Sequence, residues 1–94
     1  MGNAVKLGDM GLDHEGFPPT AVIAASSTVK VDGVPLARKG DALAPHDKPN
    51  NPPHPRAISA GSGTVSADGM PAARSGDAVD CGGSLVGGGT VNIG

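Results

Sequence analysis

Four side chains in this sequence have the chemistry of metal ligands: His14, His46, His54 and Cys81, which are all of its histidines and its single cysteine. Three imidazoles and one thiolate are the donor set of a closed, tetrahedral structural zinc site. The mixed nitrogen and sulfur donors suit zinc better than iron. Spacing along the chain is a weak signal, since no C-x-x-C or H-x-x-x-H pair occurs. Taken singly, a histidine in a glycine- and proline-rich loop is usually solvated, and a lone cysteine is usually a small buried hydrophobe. What favours the metal is where these residues fall relative to a repeat. His14 and His46 each stand five residues after the aspartate of a Gly-Asp pair, and Cys81 stands four after another. His54 lies outside that pattern and is available as a fourth ligand to one ion.

The repeat itself is explicit. Thr28 to Asp41 reads TVKVDGVPLARKGD, and Thr64 to Asp77 reads TVSADGMPAARSGD, with nine of the 14 aligned residues identical. Each copy has the grammar of a hairpin: a β-prone arm, then Asp-Gly, the strongest two-residue turn signal. Pro35 and Pro71 lack an N–H and belong at a strand edge or start. The opening segment Asn3 to Asp9 is a degenerate third copy, with Lys6 in place of Arg38 and Arg74. Its missing Thr-Val arm lies at the other end of the chain, in Thr90-Val91-Asn92-Ile93-Gly94. The step from threonine to the glycine of Gly-Asp is 12 residues in both full copies, and also 12 across the termini if they are joined. That agreement predicts three units around an axis, with internal pseudo-threefold symmetry and chain ends that meet to complete the third. The competing reading makes TVNIG a β-prone tail with no partner.

Between the copies lie segments of unequal length, 10–27, 42–63 and 78–89, and these carry all four candidate ligands. The middle segment holds Pro45, Pro49, Pro52, Pro53 and Pro55, which excludes a helix because each internal proline removes a hydrogen bond. No stretch has a helical period. The prediction is a single all-β domain over 1–94 with long irregular loops and at most a short helical turn.

Composition explains why such a chain needs a staple. Leu, Ile, Val and Phe make up only 18 of the 94 residues, so an apolar core alone is a marginal stabiliser. One cysteine cannot form an intrachain disulfide. A structural zinc supplies apparent binding energy on the order of 10–16 kcal/mol, against a typical total stability of ~5–15 kcal/mol. The 25 glycines and prolines would suggest disorder, but they recur at fixed places in the repeat and the net charge is only −2.

Other functions find little support. The near-balanced charge argues against nucleic acid, and there is neither a signal-peptide apolar region nor a membrane-length apolar run. The serines Ser26, Ser27, Ser62 and Ser66 lack a nucleophile-elbow pattern. Gly87-Gly88-Gly89 is followed by no Lys-Ser/Thr, so it is not a phosphate loop. Asp9, Asp41 and Asp77 recur with the turns, where bonds to their own backbone account for them. Arg38 and Arg74 are expected to pair with nearby aspartates or carbonyls.

Pro71-Ala72-Ala73-Arg74 is the motif that names the PAAR-repeat proteins, and the chain resembles that family of type VI secretion spike tips over nearly its whole length. The degenerate N-terminal copy, both full copies, Cys81-Gly82-Gly83 and the closing TVNIG occur in family order. Departures are Leu36 for the first alanine of the middle copy, loss of proline and arginine from the N-terminal copy, and His46 where many members carry cysteine. The resemblance implies metal ligands at His14, His46, His54 and Cys81, and a small cone that caps a trimeric valine-glycine-repeat β-helical spike protein. It implies a non-enzymatic monomer on a threefold trimer, helping to pierce a target membrane, with effectors travelling as separate chains. The expected route is assembly in the bacterial cytoplasm and expulsion at the spike tip. A zinc-dependent hydrolase and a metal-independent adaptor or adhesion module are the alternatives.

Overall fold

The Asp-Gly turns form as the two-residue hairpins that the repeat predicts. The computed structural model describes residues 2–12, 17–48, 51–88 and 90–93. In chain order its strands are β1 (Gly2–Asn3), β2 (Met10–Gly11), β3 (Thr20–Ala21), β4 (Lys30–Val31), β5 (Val34–Pro35), β6 (Ala42–Lys48), β7 (Asn51–Ala57), β8 (Ser66–Ala67), β9 (Met70–Pro71), β10 (Leu85–Val86) and β11 (Asn92–Ile93). No helix occurs among the described residues. Strands β4 and β5 pair antiparallel around Asp32 and Gly33, and β8 and β9 around Asp68 and Gly69. All four turn residues have positive φ, 54° and 78° in one copy and 53° and 80° in the other. Positive φ at both central positions is the twist-matched type I′ hairpin, which aspartate tolerates and glycine favours.

The third hairpin is made by the two ends of the chain. Strand β1 pairs with β11, Gly2 opposite Ile93 and Asn3 opposite Asn92. Asn92 and Asn3 thereby repeat the pairings Lys30 with Pro35 and Ser66 with Pro71. Asn92 and Ile93 of the TVNIG segment are therefore paired, which disfavours reading it as a mere tail.

The three copies then bond to each other in a closed cycle. Val5 N–H donates to Ala73 O (3.1 Å), Ala73 N–H to Ala37 O (2.9 Å), and Ala37 N–H to Val5 O (2.8 Å). Bridges between Ala4 and Arg74, Lys6 and Leu36, and Arg38 and Ala72 follow the same cycle. Successive side chains on a strand point to opposite faces, and the core divides accordingly. On one side of the ring lie Ala4, Leu36 and Ala72 with Val31, Ala67 and Ile93. On the other lie Val5, Ala37, Ala73, Val22, Ile58, Leu85, Leu43 and Val79, with Cys81 packed against them. Both clusters are built from residues at matching positions of the copies.

Charged side chains hold turns, as their recurrence suggests. The backbone N–H of Lys6, Arg38 and Arg74 donates to Oδ2 of the aspartate three residues on, at 2.9, 2.8 and 2.7 Å. Their side chains pair with the same carboxylates, Asp9, Asp41 and Asp77. Arg74 also donates to Gly61 O at 3.2 Å. Ser26 and Ser62 act as local caps, each Oγ accepting from two following backbone N–H groups.

The turn aspartates also tie one copy to the next. Asp32 accepts from Thr90 N–H at 2.8 Å and from Thr90 Oγ1 at 2.6 Å. Asp68 accepts from the hydroxyls of Ser26 and Thr28 and from Arg38 Nη1. Those hydroxyls, Ser26 first, then Thr28 and the Arg38 cation, hold the Asp68 carboxyl below its usual 3.8. A depressed folded value means that its stabilisation is complete above that pH and is lost as pH falls through the folded value. Asp68→Asn should therefore lower the melting temperature slightly at neutral pH and by less as the pH drops below 3.8. An equal loss at every pH would show that the carboxylate charge is not involved.

Candidate metal centre

The longest hairpin is the proline-rich middle segment, where the sequence suggests an irregular loop. Strands β6 and β7 pair with Ala42 opposite Ala57, Leu43 opposite Arg56, His46 opposite His54 and Lys48 opposite Asn51. The ladder is interrupted on both sides of His46. Ala44 and Pro45 separate Leu43 from His46, whereas Pro55 alone separates His54 from Arg56. Two residues against one is a β-bulge. It matters because alternation would otherwise turn His46 away from the face that Leu43 buries. The bulge also gives Pro45, which has no N–H, a place outside regular pairing. With it, Leu43, His46, Arg56 and Ile58 are all buried and His54 is half-buried.

Cys81 reaches the same place from the third segment. Val79 bridges Ile58, and Asp80 N–H donates to Ala57 O (2.9 Å) while Ala57 N–H donates to Asp80 Oδ1 (3.0 Å). These bonds fasten the Cys81 turn to β7. Gly82 N–H donates to Val79 O (3.0 Å) and closes the turn.

The ligand atoms of His46, His54 and Cys81 lie within 4.8 Å of one another. The two Nε2 atoms are 3.1 Å apart, and Cys81 Sγ is 3.8 Å from His46 Nε2. Metal–nitrogen bonds of about 2.0–2.1 Å at tetrahedral angles put two nitrogens roughly 3.3 Å apart, so these separations fit one ion.

Protonation supports the fit. His46 Nδ1 sits 2.8 Å from Pro18 O, and His54 Nδ1 sits 3.3 Å from Pro55 O. A carbonyl only accepts, so each contact favours a proton on Nδ1, and a neutral ring then presents its Nε2 lone pair to the other ligand atoms. Two such lone pairs 3.1 Å apart repel unless a proton or a metal ion lies between them. Orientation of a ligating imidazole through its other nitrogen is the usual outer-shell arrangement of a metal-bound histidine.

Phe17, the chain's one aromatic residue, closes the group. Its ring stacks on His46 with centroids 4.8 Å apart and meets His54 edge-on at 4.6 Å. It excludes water from one side of the imidazole pair and is itself buried. Of the four ligands expected from sequence, the structure brings His46, His54 and Cys81 together. His14 lies outside the described residues.

Sequence reasoning missed Phe17, the bulge and Arg56. Arg56 is 1% exposed, and its guanidinium donates to Gly11 O (3.2 Å), Thr20 Oγ1 (2.8 Å), Leu12 O (2.8 Å) and Gly82 O (3.5 Å). A signal for it was present. Gly11 stands where the other copies have Leu43 and Val79, and Gly83 stands where they have Arg56 and Thr20. A Cβ on either glycine would lie within 3.2 Å of Arg56 Nη2.

Fold and site together define a structural module: three β copies joined in a cycle, with imidazole and thiolate donors gathered from the unequal segments between them. The model of the PAAR motif matches residues 13–87, and the chain belongs to that family. No curated protein matches the chain. The PAAR motif is associated with the tip of the type VI secretion spike, and the family is a structural spike-tip module rather than an enzyme. Among the described residues no helix is long and apolar enough to cross a membrane.

Proposed function

We propose that this protein is the sharpened end-piece of a contractile injection spike, seated as a monomer on the end of a trimeric valine-glycine-repeat protein. The observation that carries this reading is the closed cycle of hydrogen bonds through Val5, Ala73 and Ala37. One chain that repeats the same bond three times offers three similar faces, and an internal pseudo-threefold axis lets it match a true trimer. Val29, Val65 and Val91 occupy the same position in the three copies and are 36%, 40% and 46% exposed. They belong to the hairpin arms, whose inward residues Val31, Ala67 and Ile93 lie in the cluster that Cys81 does not touch. Seating this end on the trimer would cover the short hairpin edges. The metal group would then stand at the far end, where one zinc held by His46, His54 and Cys81, with His14 as fourth ligand, would tie the point together. Membrane piercing, the carriage of separate effectors and export from the bacterial cytoplasm at the spike tip follow from that position.

Co-purification with the trimeric spike proteins of the source organism tests the reading. The expected result is a complex of one chain per trimer, abolished when Val29, Val65 and Val91 are all changed to aspartate. Failure to bind any of those trimers, or a complex with three copies per trimer, would overturn it.

A further inference from the structure

Beneath the imidazole pair a layer of the core is filled by a cation. Thr20, Arg56 and Gly83 each stand two residues before one of the core residues Val22, Ile58 and Leu85, so they are the same position in three copies. Gly11, Leu43 and Val79 are likewise one position. In both sets a glycine replaces a larger side chain beside the guanidinium, and Thr20 turns its hydroxyl toward it. The site is therefore built around Arg56. Burying a guanidinium is costly unless its donors are met. Here four of the five N–H groups find acceptors, and Nε finds none among the described residues. None of those four acceptors is a carboxylate, and three are backbone carbonyls.

The positions of these acceptors show what the cation does. Gly11, Leu12 and Thr20 belong to the first unequal segment, Arg56 to the second and Gly82 to the third. Arg56 is two residues from His54 on the same strand face, and Gly82 follows Cys81 directly. A guanidinium is a rigid, planar fork, so its bonds fix the relative placement of what they join.

We propose that Arg56 is the positioning residue of the metal group: it clamps the first and third segments to β7 and sets the Cys81 turn against His46 and His54 before any ion binds. This deepens the metal reading and rests on it for its purpose, although the clamp itself is testable without metal.

The first measurement is amide hydrogen exchange in chelator on the wild type, Arg56→Lys and Arg56→Met. The amides of Leu12, Val79 and Gly82 bond across the clamped turns, and those of Val5, Ala37 and Ala73 form the cycle between copies. Arg56→Met should speed exchange of the first set at least tenfold relative to the second, with Arg56→Lys intermediate because an ammonium meets fewer acceptors. General destabilisation would speed both sets together, and that result, or an unchanged first set, would overturn the proposal. Zinc titration against a competing chelator is the second measurement. Arg56→Lys should bind about 10-fold more weakly than wild type, because binding must then order the Cys81 turn that the guanidinium preorganises. Wild-type binding in both proteins would overturn the positioning role, whereas a wild type that binds no zinc would sink the metal reading and leave the exchange result to decide the clamp.

Discussion

Removing metal from the protein with a chelator is expected to lower its melting temperature by roughly 15 °C or more. A structural zinc gives apparent energies on the order of 10–16 kcal/mol in small peptides. If only about 3 kcal/mol of that appears as net stability, a domain this size shifts by ~4–8 °C per kcal/mol. The core has little in reserve, since its two clusters are dominated by alanine and valine and include only three leucines. Cys81→Ser keeps the shape of the turn but removes the thiolate, so it should reproduce most of the loss and weaken metal retention. In chelator the variant and the wild type should melt together. Equal melting temperatures for wild type with and without chelator would remove the metal as staple.

Gly83→Ala should be severely destabilising, because it combines a collision with a left-handed backbone. The added carbon would lie 2.5 Å from Leu12 O and 3.2 Å from Arg56 Nη2, at a residue with φ of +83°. The left-handed conformation alone costs a side chain about 1–2 kcal/mol, and the backbone oxygen cannot yield without moving the clamped turn. The total should approach about 3 kcal/mol, in the range of severe core lesions. Gly33→Ala is the natural control. Its φ is +78°, but nothing lies within 4 Å of the added carbon, so only the conformational cost of about 1–2 kcal/mol applies. Thermal denaturation of the two variants separates strain from collision, and a similar loss in both would show that the Gly83 collision is relieved by easy movement.

Much of this was legible in the sequence because the repeat carries its own check. A two-residue type I′ turn favours Asp-Gly between β-prone arms, so Asp32 and Asp68 announced their hairpins. The matching 12-residue steps located a third arm in TVNIG before any pairing was visible. Recurrence likewise assigned Asp41 and Asp77 to turns, where they bond the backbone of Arg38 and Arg74. The middle segment was harder for a physical reason. Proline rules out a helix but not a bulged strand, and a bulge depends on how many residues the partner strand spends between two pairings. Nothing in His46 alone says that Ala44 and Pro45 face a single residue, Pro55. Arg56 was hidden for a related reason. Arginine is rarely buried, and its burial here depends on what two glycines elsewhere in the chain lack.

The pairing of β1 with β11 also bears on how the molecule assembles. Strands β1 and β11 close the longest loop of any strand pair described, so their contact carries the largest loop-closure entropy among those pairs. Each local hairpin can form early, but the cycle through Val5, Ala37 and Ala73 has no partial version that satisfies all three N–H groups. Such a topology favours slow, all-or-none folding. A module closed this way is expected to be either whole or absent, with half-formed states scarcely populated.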